Sequence, residues 1–228
     1  MWRRAVGLIC LCGLVLSGCS GREDSSTDPA RQVRAIHEAA AADNDQAAEQ
    51  VAKAVQDNNP ATAREAVAAL GRMSTPAAFE ALKRAATSES RTDVRQAAAA
   101  ALAGRKDPRA AEVLRQVLRS DSSPEVRGEA AAGLARVGTL DDVDLLVSST
   151  VAETDPAATR REIAAIERLL GIKFRYDPAA PPEEQRRVLE AVRTVASRIA
   201  QDIKEGRPRA SKCATTAPAP ASEVKRGE

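Results

Sequence analysis

Acidic residues and arginines recur along the chain at a fixed spacing, and they are the first candidates for chemistry. Four acidic residues stand 32 residues apart, and an arginine follows two of them after six residues. Carboxylates can act as acid and base, but no nucleophile repeats beside them, which argues against catalysis. We interpret the pattern as an inter-repeat ladder, in which a carboxylate in one loop accepts hydrogen bonds from an arginine or a backbone amide of a neighbour. Its predicted members are Asp57, Glu89, Asp121, Glu153, Arg95 and Arg127.

Groups that could hold a metal or a cofactor are scarce. The one histidine, His37, stands beside Glu38, and a single His-Glu pair offers too few ligands for a metal centre. The sequence has no Gly-rich phosphate loop, no cysteine set at metal-binding spacing and no serine with a plausible histidine base. We therefore predict no catalytic residue, no metal and no cofactor, and we do not expect an enzyme.

Apolar residues share the 32-residue period and show which elements must position these side chains. Self-similarity at a period of 20 to 50 residues is typical of stacked repeat proteins. Within one 32-residue repeat, apolar residues at spacings of three and four predict a helix. A second stripe of apolar residues later in the repeat predicts a second helix. Three of the apolar columns are Leu70, Leu102, Leu134 and Ile166, then Val67, Ala99, Ala131 and Ile163, then Leu82, Leu114 and Leu146.

The ends of the predicted helices carry their own signals. A residue with a side-chain acceptor precedes a proline at the start of several first helices, which is the pattern of an N-cap followed by Pro at the first helical position. Glycines stand near the ends of the same helices, where positive φ would close them. The predicted N-caps are Asn59, Ser123 and Asp155, and the predicted closing glycines are Gly71, Gly104 and Gly138.

The segment from Pro124 to Leu134, with Asp93-Val94-Arg95 and the alanines that lead to Leu102, resembles the HEAT-like repeats first described in phycobilisome lyases. The resemblance covers residues 57–175, and more loosely 28–205. It implies an all-α fold, an α-solenoid of about four to five HEAT-like helix hairpins. It does not fix a function, because such proteins range from bilin lyases and metal-dependent hydroxylases to scaffolds.

The amino terminus predicts export and a lipid anchor. A basic start, Met1 to Arg4, precedes an apolar run too short to cross a membrane, as in a signal peptide. The run ends Leu16-Ser17-Gly18-Cys19, which resembles the bacterial lipobox, so that Cys19 would be acylated and become the mature N-terminus. The alternatives are an ordinary signal peptide with an incidental cysteine and a twin-arginine signal. We expect anchoring to the cell membrane, on the periplasmic face of the outer membrane if the cell has two membranes.

Composition divides the chain into six predicted segments. Low-complexity and Pro-interrupted stretches mark tethers and loops, and atypical terminal repeats are typical caps. The segments are a signal peptide (1–18), a flexible tether (19–29), an N-terminal capping helix pair (30–56), the repeats (57–170), a Phe-x-Tyr-Asp-Pro loop with a capping helix (171–205) and a disordered tail (206–228).

The net charge and a few side chains indicate which class of partner the protein could bind. Cleavage of the signal peptide would remove Arg3 and Arg4, which leaves 32 of the 34 basic residues and 32 acidic residues. This balance of charge disfavours nucleic acid as a partner. The acidic column of the second helices could bind a partner or could be a solvated face with i, i+3 ion pairs. Two aromatics near the C-terminal end could dock a partner or plug the end of the array. These candidate partner-binding residues are Glu80, Glu112, Asp144, Phe174 and Tyr176.

Together, these features predict a membrane-anchored lipoprotein that acts as a protein-protein interaction scaffold or adaptor at the cell envelope. Its partners would be an unidentified envelope protein and the membrane, through the acyl chains on Cys19. Two alternatives stay open: a structural envelope protein that self-associates as a homo-oligomer, and an accessory subunit of an exported enzyme.

Overall fold

The computed structural model describes residues 28–105 and 107–207. Cys19 and the signal peptide lie outside these residues, as do nearly all of the predicted tether and tail. The described part contains ten α-helices, one short 3-10 helix (Leu140–Asp142) and no strand. The helices are α1 (Pro29–Ala41), α2 (Asp45–Ala54), α3 (Pro60–Arg72), α4 (Pro76–Ser88), α5 (Thr92–Gly104), α6 (Arg109–Ser120), α7 (Pro124–Val137), α8 (Val143–Ala152), α9 (Pro156–Leu170) and α10 (Pro182–Lys204).

The helices stack in two layers. The first helices of the hairpins, α1, α3, α5, α7 and α9, form one layer in which each contacts the next. The second helices α2, α4, α6 and α8 form the other layer, and α10 completes it by packing on α8. This arrangement of repeated helix hairpins is an α-solenoid, which confirms the predicted fold class.

A single apolar core runs between the two layers, and the repeat columns supply it. The core cluster extends from Ile36 on α1 to Ala196 on α10. Leu70, Leu102 and Leu134 are fully buried on successive first helices. Because one hairpin covers only half of its own apolar surface, each depends on its neighbours for burial.

The predicted N-caps are only partly correct. The side chain of Asn59 accepts a hydrogen bond from the amide of Ala61 at 2.9 Å, and Asp155 accepts from Ala158 at 2.7 Å. Ser123 occupies the predicted N-cap position of α7, but its side chain accepts no hydrogen bond from the helix amides, and its hydroxyl donates instead to Glu125 Oε2 at 2.5 Å. A carboxylate in the first turn therefore takes the hydroxyl away from the helix amides.

The prediction of positive φ at the closing glycines was also wrong. Among the described residues, the glycines with positive φ are Gly171, at 70°, and Gly206, at 68°. Helices α3, α5 and α7 end instead in extended residues. The C-cap of α9 is left-handed, at Gly171, where the chain leaves the repeat pattern, and the left-handed Gly206 follows the C-cap of α10.

Gly138 has a steric role rather than a conformational one. A Cβ at this position would lie 2.5 Å from the carbonyl oxygen of Leu134 and 2.7 Å from Asp142 Oδ2. We expect Gly138→Ala to lower the free energy of unfolding by roughly 1–3 kcal/mol, the range for adding a methyl group to a filled site. Urea unfolding followed by circular dichroism measures the change. Gly104→Ala is the control, because nothing lies within 4 Å of its added Cβ; equal losses in both variants would contradict the steric explanation.

Candidate functional site

Arg95 connects two successive loops that join one hairpin to the next. Its guanidinium donates from Nε to Asp121 Oδ2 at 2.8 Å and from Nη2 to Asp121 Oδ1 at 2.9 Å. Its remaining nitrogen, Nη1, donates to the carbonyls of Glu89 and Ser90, at 3.1 and 3.0 Å. The side chain is 11% exposed and that of Asp121 is 6% exposed. This is a buried bidentate pair that also binds backbone carbonyls of the preceding loop.

Arg127 repeats this arrangement one hairpin later. Its Nε and Nη2 donate to Glu153 Oε2 at 2.9 and 2.6 Å, and its Nη1 donates to the carbonyl of Asp121 at 2.9 Å. The next position in the column is Thr159, whose hydroxyl donates to the carbonyl of Asp155 within its own loop. The two arginine links therefore lie in the middle of the array.

The earlier junction uses different residues, because Ala63 occupies the arginine position. Gln56 Nε2 donates to Glu89 Oε2 at 2.7 Å, and Arg91 donates back to the carbonyls of Val55 and Asp57. The carboxylate of Asp57 does not take part in an inter-repeat link: it accepts from the amide of Asn59 in its own loop, at 2.8 Å.

Electrostatics suit these carboxylates to a structural role. Desolvation acts to raise the pKa of Glu89, but hydrogen bonds from Arg91 and Gln56 outweigh it and bring the pKa to about 2. The pKa of Asp121 is also lowered: desolvation opposes the shift, and the hydrogen bonds from Arg95 prevail. Both groups stay ionised and paired at neutral pH, which does not suit them to act as general acids.

The opposite edge of the stack, where each hairpin turns, carries a second set of polar links that the sequence did not reveal. Asp43 accepts a hydrogen bond from the amide of Ser74 at 2.8 Å. Arg105 donates to the carbonyl of Leu70 at 3.0 Å and also to that of Met73. Arg115 Nε lies 2.5 Å from Asp142 Oδ1. Neighbouring hairpins are thus connected along both edges.

The predicted acidic residues of the second helices are exposed and form weak ion pairs. Glu80 lies 3.9 Å from Lys83, and Glu112 lies 3.0 Å from Arg115. Asp144 lies 3.7 Å from a cation of the last helix, Arg193. Their side chains are 49%, 72% and 77% exposed. The three carboxylates thus lie at the surface of the second layer, accessible to a partner.

Phe174 and Tyr176 are half-buried and pack against the core. The Tyr176 hydroxyl lies 3.0 Å from Gln185 Oε1, and Gln185 Nε2 donates to the carbonyl of Ala180 at 2.8 Å. The amide of Phe174 donates to Glu167 at 3.3 Å. These bonds fix the loop between α9 and α10, an arrangement that suits the plug interpretation better than a free docking loop.

Glu162 is a buried carboxylate that the sequence interpretation missed. It is 0% exposed, and its Oε1 accepts a hydrogen bond from the Ser149 hydroxyl at 2.5 Å. Its Oε2 has no hydrogen-bond partner in the described part of the chain. Burial raises its pKa to about 7. The signal was available in the repeat columns, where the equivalent residues are alanines: Ala66, Ala98 and Ala130.

His37 is exposed, and its Nε2 lies 3.1 Å from Glu65 Oε1. Within residues 28–105 and 107–207, no group of three or more His, Cys, Asp or Glu side chains could hold a metal ion. The same residues include no helix with both the length and the apolar character needed to cross a bilayer.

Each hairpin stacks on the next, and hydrogen bonds link neighbouring hairpins along both edges of the stack. This arrangement defines the class of helical repeat proteins. Residues 23–103 and residues 88–167 each match the family model of HEAT repeats. The two matches together span more than half of the chain, so the chain belongs to the HEAT repeat family. This confirms the resemblance seen in the sequence. Comparison with curated proteins gives no match.

Proposed function

We propose that this protein is a lipid-anchored scaffold or adaptor, in which the HEAT repeats bind a partner protein at the cell envelope. The observation that carries the proposal is the match of residues 23–167 to HEAT repeats, which are commonly protein-interaction scaffolds and typically not catalytic. A solenoid suits this role because it offers a long surface made of repeated units.

The amino-terminal sequence supports the anchor. Leu16-Ser17-Gly18-Cys19 follows an apolar run, as in bacterial lipoproteins. Two or three acyl chains hold a protein stably at a membrane, whereas one does not. Helix α1 begins at Pro29, so residues 19–28 would keep the array within roughly 35 Å of the bilayer surface.

The exposed acidic row supports a partner with basic residues. Glu80, Glu112 and Asp144 recur at the repeat spacing on the second layer, so a partner that follows the array would meet one carboxylate per hairpin. Opposite charges on two surfaces favour encounter and set the register of binding.

Cross-linking in intact envelopes tests the proposal. We expect the wild-type protein to capture a defined partner, identified by mass spectrometry, and to fractionate with membranes. The variant Cys19→Ser should lose membrane fractionation, because it cannot be acylated. Combined Glu80→Lys, Glu112→Lys and Asp144→Lys should reduce the captured partner about tenfold or more through charge repulsion.

The matched control changes three other exposed acidic residues, with Glu38→Lys, Glu49→Lys and Glu184→Lys. These residues form no ion pair within the described residues, and the control makes the same change in net charge. Partner capture should persist in it. Capture of nothing but further copies of the protein would overturn the adaptor role in favour of a self-associating envelope protein. A captured enzyme whose activity depends on this chain would identify an accessory subunit.

A further inference from the structure

A groove runs between the last two helices of the first layer. It has a volume of about 620 Å³ and is lined by the later turns of α7 and α9 together with Lys173. We call it the α7–α9 groove. The residues that carry the argument are Glu129, Ala132 and Arg136 on α7, and Arg161, Ala164 and Arg168 on α9.

The two helices that form the walls of the groove carry the same pattern of charged residues and alanine. One stripe of each helix carries three such residues: a charged residue, an alanine three positions after it and an arginine seven positions after it. The stripe is Glu129, Ala132 and Arg136 on α7 and Arg161, Ala164 and Arg168 on α9. Arg161 and Arg168 are therefore about 10 Å apart along the helix axis. The lining is small and apolar along its centre and charged at both ends.

The arginines of the groove are unpaired, in contrast to the buried arginines of the stack. No carboxylate lies within 4.0 Å of the guanidinium of Arg136, Arg161 or Arg168 among residues 28–105 and 107–207. Arg161 has only a long hydrogen bond to the carbonyl of Glu125, at 3.4 Å. The fourth cation, Lys173, is occupied by Glu167 at 2.5 Å. The groove thus keeps three guanidinium groups without a carboxylate.

The charge is specific to this groove. The equivalent positions 32 residues earlier replace Arg136 with Gly104 and Arg161 with Glu129, and only the third arginine is retained, as Arg136. The preceding groove between α5 and α7 therefore has one arginine where the α7–α9 groove has three. A solvated face would not require such a concentration at one end of the array.

We propose that the α7–α9 groove binds an acidic segment of a partner protein, whose carboxylates pair with Arg136, Arg161 and Arg168 while small side chains lie against Ala132 and Ala164. Guanidinium groups bind carboxylates in bidentate pairs, and three unpaired guanidinium groups on two adjacent helices favour an acidic partner. A helical segment with carboxylates seven residues apart matches the spacing of Arg161 and Arg168.

A protein segment fits the groove better than an anionic membrane does. Membrane-binding surfaces insert aromatic or large apolar side chains, whereas the groove lining contains none that could enter a bilayer. The inference rests on the proposed function in that the partner is a protein.

Fluorescence anisotropy with the full-length protein in detergent tests the groove. The probe is a labelled helical peptide of about 15 residues, or four turns, with glutamates on one face and alanines elsewhere. We expect the wild type to bind it and the combined variant Arg136→Glu, Arg161→Glu, Arg168→Glu to bind at least about tenfold more weakly. The control variant Arg64→Glu, Arg119→Glu, Arg198→Glu makes the same charge change at exposed arginines elsewhere and should bind like the wild type.

Three results would overturn the proposal: no binding of the peptide by the wild type, equal weakening in both variants, or groove-dependent binding to phosphatidylglycerol vesicles that exceeds binding to the peptide. The groove variant is also cross-linked in intact envelopes. If it still captures the partner of the wild type, the adaptor function stands and the groove assignment fails. If the wild type captures no partner at all while peptide binding depends on the groove, the adaptor function fails and the site stands.

Discussion

Replacement of Arg95 by methionine is expected to lower the free energy of unfolding by about 3–5 kcal/mol, the range for breaking a buried ion pair from one side. Methionine retains the apolar stem but leaves the carboxylate of Asp121 buried without its bidentate partner. It also removes the hydrogen bonds to the carbonyls of Glu89 and Ser90. Urea unfolding followed by circular dichroism at neutral pH measures the loss.

Two further variants separate the ion pair from simple loss of packing. Arg119→Met changes an exposed arginine of α6 that forms no ion pair within the described residues, and it should stay within about 0.5 kcal/mol of the wild type. The double variant Arg95→Met, Asp121→Asn should recover part of the loss, because no unpaired charge then remains buried. A loss below about 1 kcal/mol for Arg95→Met alone would show that the link does not stabilise the stack.

Replacement of Glu162 by glutamine is expected to stabilise the protein at pH 8 by about 3 kcal/mol, since one pKa unit corresponds to about 1.4 kcal/mol. The pKa of Glu162 rises from 4.5 to about 7 in the folded protein. Its contribution to stability is therefore complete below pH 4.5 and is lost as the pH rises through 7, where a buried carboxylate must ionise. Glutamine avoids that cost and can still accept the hydrogen bond from Ser149.

Thermal unfolding at pH 5 and at pH 8 tests this expectation. The advantage of Glu162→Gln should be large at pH 8 and should fall to less than about 1 kcal/mol at pH 5. The exposed substitution Glu183→Gln serves as the control and should change stability by less than about 0.5 kcal/mol at either pH. An advantage of the same size at both pH values would mean that glutamine acts through packing and not through ionisation.

The sequence predicted the hairpins well because their signal is repeated. Leu70, Leu102 and Leu134 recur at one spacing, and each copy strengthens the assignment of the others. Burial of these columns in one continuous core follows from that periodicity. The family could be predicted for the same reason.

Details that depend on a single side chain were harder to predict. Ser123 has the residue type of an N-cap, but Glu125 competes for its hydroxyl. Glycines at helix ends suggested left-handed residues, whereas extended residues close those helices and lead directly into the turns. Local propensity does not include such competing contacts, which arise only when the chain is folded.

The candidate binding surfaces were also only partly predictable from the sequence. The spacing of Glu80, Glu112 and Asp144 is visible in the sequence, but their exposure is a property of the packed second layer. Arg136, Arg161 and Arg168 belong to two helices, and nothing in the linear sequence indicates that they line one groove. Glu162 could have been noticed as the one departure from a column of alanines, yet its burial depends on α8.

The polar links along the two edges of the stack have a mechanical consequence. Bending an array of hairpins toward one side lengthens the opposite edge, and each edge here is held by hydrogen bonds between neighbours. Arg95 and Arg127 restrain the edge formed by the inter-hairpin loops, and Arg105 and Arg115 restrain the edge formed by the turns. These links resist bending of the repeats from α3 to α8 toward either edge, and in this way they favour a fixed separation and angle between the surfaces of successive hairpins.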